Sequence, residues 1–133
     1  MLTAINPVGA AFPGVSQAVR IAGDLVVLGG HVPVDEQGNL VKGDFESQLD
    51  AVFRSIGRTL EAAGLGFDSV ARFTFYVARY EPSMIPVLRA VRSRYVNQEA
   101  PPASALVGVA ALYDESILVE VDGIAVVPKH CPT

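Results

Sequence analysis

Apolar residues recur along the chain at two periods, and the switches between them mark out the elements. From Asp44 onward the period is helical: Phe45, Leu49, Val52, Phe53, Ile56 and Leu60 share one face, while Glu46, Asp50, Arg54, Arg58 and Glu61 share the other. Asp44 carries the side chain that caps such a helix, and Gly64 stands where a left-handed residue ends it. Asp50 and Arg54, four apart with opposite charge, add support on the outer face. Val70 to Val77 then alternates, with Ala71, Phe73, Phe75 and Val77 on one side and Arg72, Thr74 and Tyr76 on the other, which predicts a strand in a sheet. Glu81-Pro82-Ser83 opens a second helical stretch through Ile85, Leu88, Val91 and Tyr95, with Pro86 in its first turn and Ala100-Pro101-Pro102 beyond its end.

The flanks read as strands. Ser16–Ile21 and Leu25–Leu28, rich in β-branched and aliphatic residues, are separated by Ala22-Gly23-Asp24, and the spacing predicts an opening hairpin. Turn formers crowd residues 32–43, so this stretch reads as a loop. Ala105–Ala110 and Ile117–Val127 are the last strands, joined by a turn over Tyr113–Ser116. The order is β-β-α-β-α-β-β, an α+β class with two amphipathic helices packed on one face of a single mixed β-sheet. The other face has no element left to cover it, so it is expected to pack against other copies in a closed ring. Within 133 residues there is room for one core, so residues 1–133 are read as a single domain.

Half the residues are hydrophobic and 18% are charged, which suits a folded protein better than a disordered chain or a membrane span. The net charge of −4 argues against nucleic acid as a partner. Around Met1–Pro7 there is no basic segment followed by a long apolar run, so no export signal is read and a cytoplasmic location is expected. Cys131 is the only cysteine, which leaves no internal disulfide and fits a reducing compartment. His31 and His130 are too far apart to form a metal motif.

Several local strings, in order and spacing, resemble the RidA/YjgF family over most of the chain. They are Val15-Ser16-Gln17-Ala18-Val19, Ala22-Gly23-Asp24-Leu25, Gly30-His31-Val32-Pro33 and Leu60-Glu61-Ala62-Ala63-Gly64. Further on come Tyr76-Val77, Pro102-Ala103, Val107–Leu112 and Val119–Val126. The resemblance implies a chorismate-mutase-like fold and a homotrimer with a small-molecule cleft at each subunit boundary. It also implies hydrolysis of imines or enamines to keto acids and ammonia without metal or cofactor. Such chemistry needs a cation to hold a carboxylate and an acceptor to position water.

By the same resemblance, Glu120 matches the acidic residue that orients the attacking water. Family members of the deaminating branch have arginine after Pro-Ala, where this chain has Ser104. A serine hydroxyl cannot replace a bidentate guanidinium contact, worth about 1.5–3 kcal/mol per charged hydrogen bond. Val15 stands where a tyrosine is usual, which makes the cleft more apolar, and Leu106, two residues beyond Ser104, is a further substrate-binding candidate. These departures place the chain in an arginine-lacking branch, with a substrate other than 2-iminopropionate. Arg72, where relatives often have lysine, and Arg89, at a second-helix position where some relatives have asparagine near the cleft, are the candidate replacement cations. The competing reading of Arg89, Arg92 and Arg94 is a solvated basic helix face. Gly30 permits close backbone approach to a ligand or a neighbouring strand. His31, beside it, is a candidate acid or base, against the alternative of a hydrogen-bonded loop histidine. The leading functional expectation is therefore a cofactor-independent hydrolase or deaminase. The alternative is a trimer that binds or protects a small molecule without turning it over; ribonuclease activity finds no support in an acidic chain that lacks a basic stripe.

Overall fold

The computed structural model describes residues 2–9 and 14–128. Its elements are β1 (Leu2–Ile5), β2 (Ala18–Ile21), β3 (Asp24–His31), α1 (Phe45–Ala62), a 3₁₀ turn over Phe67–Ser69, β4 (Val70–Ala78), α2 (Met84–Arg92), β5 (Ala103–Val109) and β6 (Val119–Val127). Asp44 caps α1 as its position predicts, accepting a 2.8 Å hydrogen bond from the Ser47 amide. At the other end Gly64 has φ +72°, and the Gly64 and Leu65 amides donate to the Glu61 and Leu60 carbonyls. This is the paired closure that lets a left-handed glycine satisfy the last carbonyls of a helix.

β3, β6, β4 and β5 lie side by side in one mixed sheet; only β4 and β5 are parallel. Both helices share core contacts with one face of it, where Leu49, Val52, Phe53, Ile56 and Leu88 meet Phe73, Phe75, Val77, Val119 and Val121. The opposite face is bare. Leu25 and Val27 of β3 are 56% and 77% exposed, and Val107 of β5 is also exposed.

The N-terminal strands differ from the hairpin that the sequence predicts. β2 pairs with β1, Leu2 opposite Ile21, in a separate two-stranded ribbon, whereas β3 pairs with β6, Asp24 opposite Val127. β1 precedes the predicted order as an additional strand. Gly23 does make the turn, at φ +136°, but a side chain there would collide with the Val127 carbonyl, so the turn serves the β3–β6 seam rather than a local hairpin. α2 stops at Arg92, earlier than expected, and Ser93–Tyr95 follow as turns. Tyr95 nonetheless reaches the core, stacked on Phe53 at 5.0 Å. The loop of residues 32–43 holds a small bridge between Val34 and Leu40.

One buried polar side chain ties helix to sheet. Gln48, 1% exposed, donates from Nε2 to the Ser116 carbonyl and accepts from the Leu118 amide, both at 2.7 Å. These bonds set where β6 begins. Gln48→Leu would leave a partly buried carbonyl and amide without this partner, so unfolding stability should drop by about 1–3 kcal/mol in urea titration. An unchanged midpoint would show that the two bonds contribute nothing net.

Candidate active site

β6 is buried on alternate residues. Val119, Val121 and Ala125 face the helices, so Glu120, Asp122 and Ile124 face the uncovered side. Glu120 lies opposite Tyr76 of β4. On its other flank the β3–β6 register slips between Leu28 and His31, a bulge formed around Gly29 and Gly30. The Glu120 carboxylate lies directly over Gly30: a Cβ built there would collide with Oε2 and sit 2.9 Å from the carboxyl carbon. Glycine at 30 is therefore what makes room for this side chain.

His31 turns the other way. Its Nδ1 lies 2.7 Å from the Gly29 carbonyl and its Nε2 2.8 Å from Thr59 Oγ1 on α1. In the neutral ring, Nδ1–H donates to the carbonyl and Nε2 accepts from the threonine hydroxyl. The structure thus ties His31 to the helix side and does not bring it to Glu120.

On the bare face, Arg72, Thr74 and Tyr76 share a shallow depression of about 320 Å³ with Val27, Asp122 and Ile124. The Tyr76 hydroxyl donates to Asp122 Oδ2 at 3.1 Å, and this bond to a carboxylate holds the phenol above its ordinary pKa. Arg72 therefore lies on the Glu120 side of the sheet.

The remaining candidates gather elsewhere. Ser104 and Leu106 of β5 stand opposite Phe73 and Phe75, so they face the helix layer. Together with Val15, Phe75 and Arg89 they line a cavity of about 310 Å³ beside α2, completed by Ile85, Leu88 and Arg92. Val15 is brought there by its neighbour. Ser16 bridges to Ala103 in parallel, its amide donating to the Pro102 carbonyl at 3.0 Å and its hydroxyl to the Pro101 carbonyl at 2.5 Å.

Arg92 corrects the expectation of a solvated basic face. It is only 7% exposed and its guanidinium reaches Gly14, whose added Cβ would lie 2.8 Å from Nη2. Burial, and then the nearby Arg89 charge, lower its pKa from the ordinary arginine value. Arg94 does behave as a surface residue, paired with Glu46 at 2.9 Å. The signal for Arg92 was present in the spacing, since it stands four residues after Leu88 and seven after Ile85 on the apolar stripe of α2.

The candidates thus form two groups on opposite faces of one sheet: Gly30, Glu120 and Arg72 on the bare side, Val15, Arg89, Ser104 and Leu106 on the helix side. His130 and Cys131 lie outside the described residues. Among the described residues no three His, Cys, Asp or Glu side chains cluster as a metal site would require. None of the described helices is long and apolar enough to cross a membrane.

Two helices thus cover one face of a mixed sheet in an α+β fold, with an acidic residue over a glycine bulge on the bare face and a small cavity beside α2. The family model described as Endoribonuclease L-PSP matches residues 6–127, and the chain belongs to this family, RidA/YjgF. A RutC family protein from Pyrococcus abyssi is 32% identical, over 83% of this chain and 84% of its own. The crystal structure of YyfB from Yersinia pestis, described as a Rid family protein of unknown function, superposes with a TM-score of 0.83 at 26% identity, covering 95% of this chain and 98% of that one. RidA from an Antarctic Psychrobacter superposes with a TM-score of 0.70 at 33% identity, covering 93% and 94%.

Proposed function

We propose that the chain assembles as a homotrimer and hydrolyses a small imine or enamine in clefts shared by adjacent copies, with no metal or cofactor. The observation that carries this reading is the separation of the two candidate groups. In one copy Glu120 and the Ser104 cavity open on opposite faces, so a second copy is needed to set one against the other. The bare face, with Leu25, Val27 and Val107 exposed, supplies apolar surface for that contact.

The chemistry closes without an external electron carrier. Glu120 takes a proton from water as the water oxygen bonds to the C=N carbon. That proton passes to nitrogen to give a carbinolamine. A second proton then moves from the new hydroxyl through Glu120 to nitrogen, the C–N bond breaks as the C=O bond forms, and a ketone and ammonia leave. Proton transfer is assigned to Glu120; His31, tied to Gly29 and Thr59, shapes the bulge beneath it. With Ser104 in place of arginine, the substrate differs from 2-iminopropionate. The same substitution favours a second reading, a trimer that binds a small molecule without converting it. RNA is disfavoured by the net charge of −4, and we place the protein in the cytoplasm.

The test is ammonia release from a panel of imines generated in situ by an amino-acid oxidase, alongside the mass in solution. Release above the buffer rate and a mass three times that of the 14.0 kDa chain are expected. Thermal stabilisation by keto acids without ammonia release would favour the binding protein, and the mass of a lone subunit would overturn the shared cleft.

A further inference from the structure

We propose that Arg89 and Arg92 of α2 form a two-guanidinium clamp for the substrate's carboxylate, and that the cavity around them selects a carboxylate with an apolar body. The inference rests on reading this cavity as the substrate half of the cleft. It moves the anion-binding cation from β5, where Ser104 stands, to the helix facing it.

Three observations support the clamp. First, Arg92 is a charged group 7% exposed at the wall of a cavity of about 310 Å³, and Arg89 lies one turn earlier on the same wall, exposed at its mouth. Residues three apart on a helix present their side chains side by side. Second, the described residues that line the cavity include no carboxylate that would repel an incoming anion. Burial and the Arg89 charge both disfavour the charged form of Arg92, and an anion seated between the two guanidinia relieves the repulsion. Third, Val15, Phe75, Ile85, Leu88 and Leu106 give the remaining wall an apolar surface, with the Ser104 hydroxyl as a further polar group. A strongly hydrated anion such as free phosphate gains nothing from that wall, whereas the hydrocarbon part of an organic acid is desolvated by it.

The clamp is tested by calorimetric titration of the full chain with phenylacetate, its neutral isostere phenylacetamide, and inorganic phosphate. Phenylacetate should bind about tenfold or more tightly than the amide, the loss expected for one charged hydrogen bond, and more tightly than phosphate. Arg92→Gln and Arg89→Gln should each weaken phenylacetate by about tenfold, and Arg92→Lys should recover part of the loss. Arg89 is exposed, so its variant reports on binding even where Arg92→Gln fails to fold. Equal affinity for acid and amide, no binding of phenylacetate by the wild type, or unchanged affinity in Arg89→Gln would overturn the clamp. Phosphate binding as tightly as phenylacetate would overturn the selection for an apolar body.

The same preparations separate this inference from the hydrolytic reading. Arginine-dependent binding of phenylacetate without ammonia release from any imine leaves the clamp standing and removes hydrolysis. Glu120-dependent ammonia release with acid binding indifferent to both arginines removes the clamp alone.

Discussion

Glu120→Gln should lower imine hydrolysis by about 100- to 10,000-fold, the usual contribution of a positioned acid or base, while leaving the unfolding midpoint near that of the wild type. The amide keeps the shape of the carboxylate but cannot take a proton from water. Glu120 is half-buried on the bare side of β6 and outside the hydrophobic core, so its replacement opens no cavity. Gly30→Ala gives a second measure of the same geometry. The added methyl group meets the carboxylate, which must swing off the bulge, and an intermediate loss of turnover is expected. Wild-type turnover by Glu120→Gln would take the carboxylate out of the mechanism. A normal rate in Gly30→Ala would mean only that its placement over the bulge is unimportant.

The largest effect on stability is expected at Phe53. Its ring is fully buried, stacked on Tyr95 at 5.0 Å, edge-on to Phe73 at 5.7 Å and tilted against Phe75 at 6.0 Å and Phe67 at 6.1 Å. It joins α1 to β4 and to the turn after α2. Phe53→Ala should cost about 3–5 kcal/mol, the range for deleting a buried phenylalanine side chain, with the exact loss set by how far the neighbouring rings collapse into the gap. Urea denaturation measures it directly. Phe73 and Phe75 stand opposite Ser104 and Leu106, so the same substitution should also loosen the cavity wall and weaken phenylacetate binding. A loss below about 1 kcal/mol would show that the cluster repacks freely, contrary to the behaviour of a close-packed interior.

How much of this was readable beforehand depended on whether the information was local. α1 was legible because its stripe, its aspartate cap and its closing glycine all agree within twenty residues. β4 was legible from strict alternation. Partner choice was not: Val26 and Leu28 have the same pattern whether β3 pairs with β2 or with β6, and Ala22-Gly23-Asp24 suits a hairpin equally well. What decides is β6, a hundred residues away, whose buried residues need neighbours on both sides. β1 is only four residues long and carries little periodic signal. In the site, Glu120 stood out through alternation and family resemblance, and the cavity residues Val15, Ser104 and Leu106 through resemblance alone. Arg92 was hidden by its charge, which argues for solvent, although its helical spacing argues for the interior. His31 was ambiguous because only the fold brings Thr59 to its ring.

The place of β6 has a consequence for how the molecule is made. Among the described residues it is the last strand in sequence yet an inner strand of the sheet, paired with β3 on one side and β4 on the other. Until residues 119–127 leave the ribosome, β3 and β4 have no seam between them, and the nascent chain holds helices and strand edges without a closed core. Folding of this domain therefore waits, in its decisive step, on contacts between distant parts of the chain, the kind that form slowly.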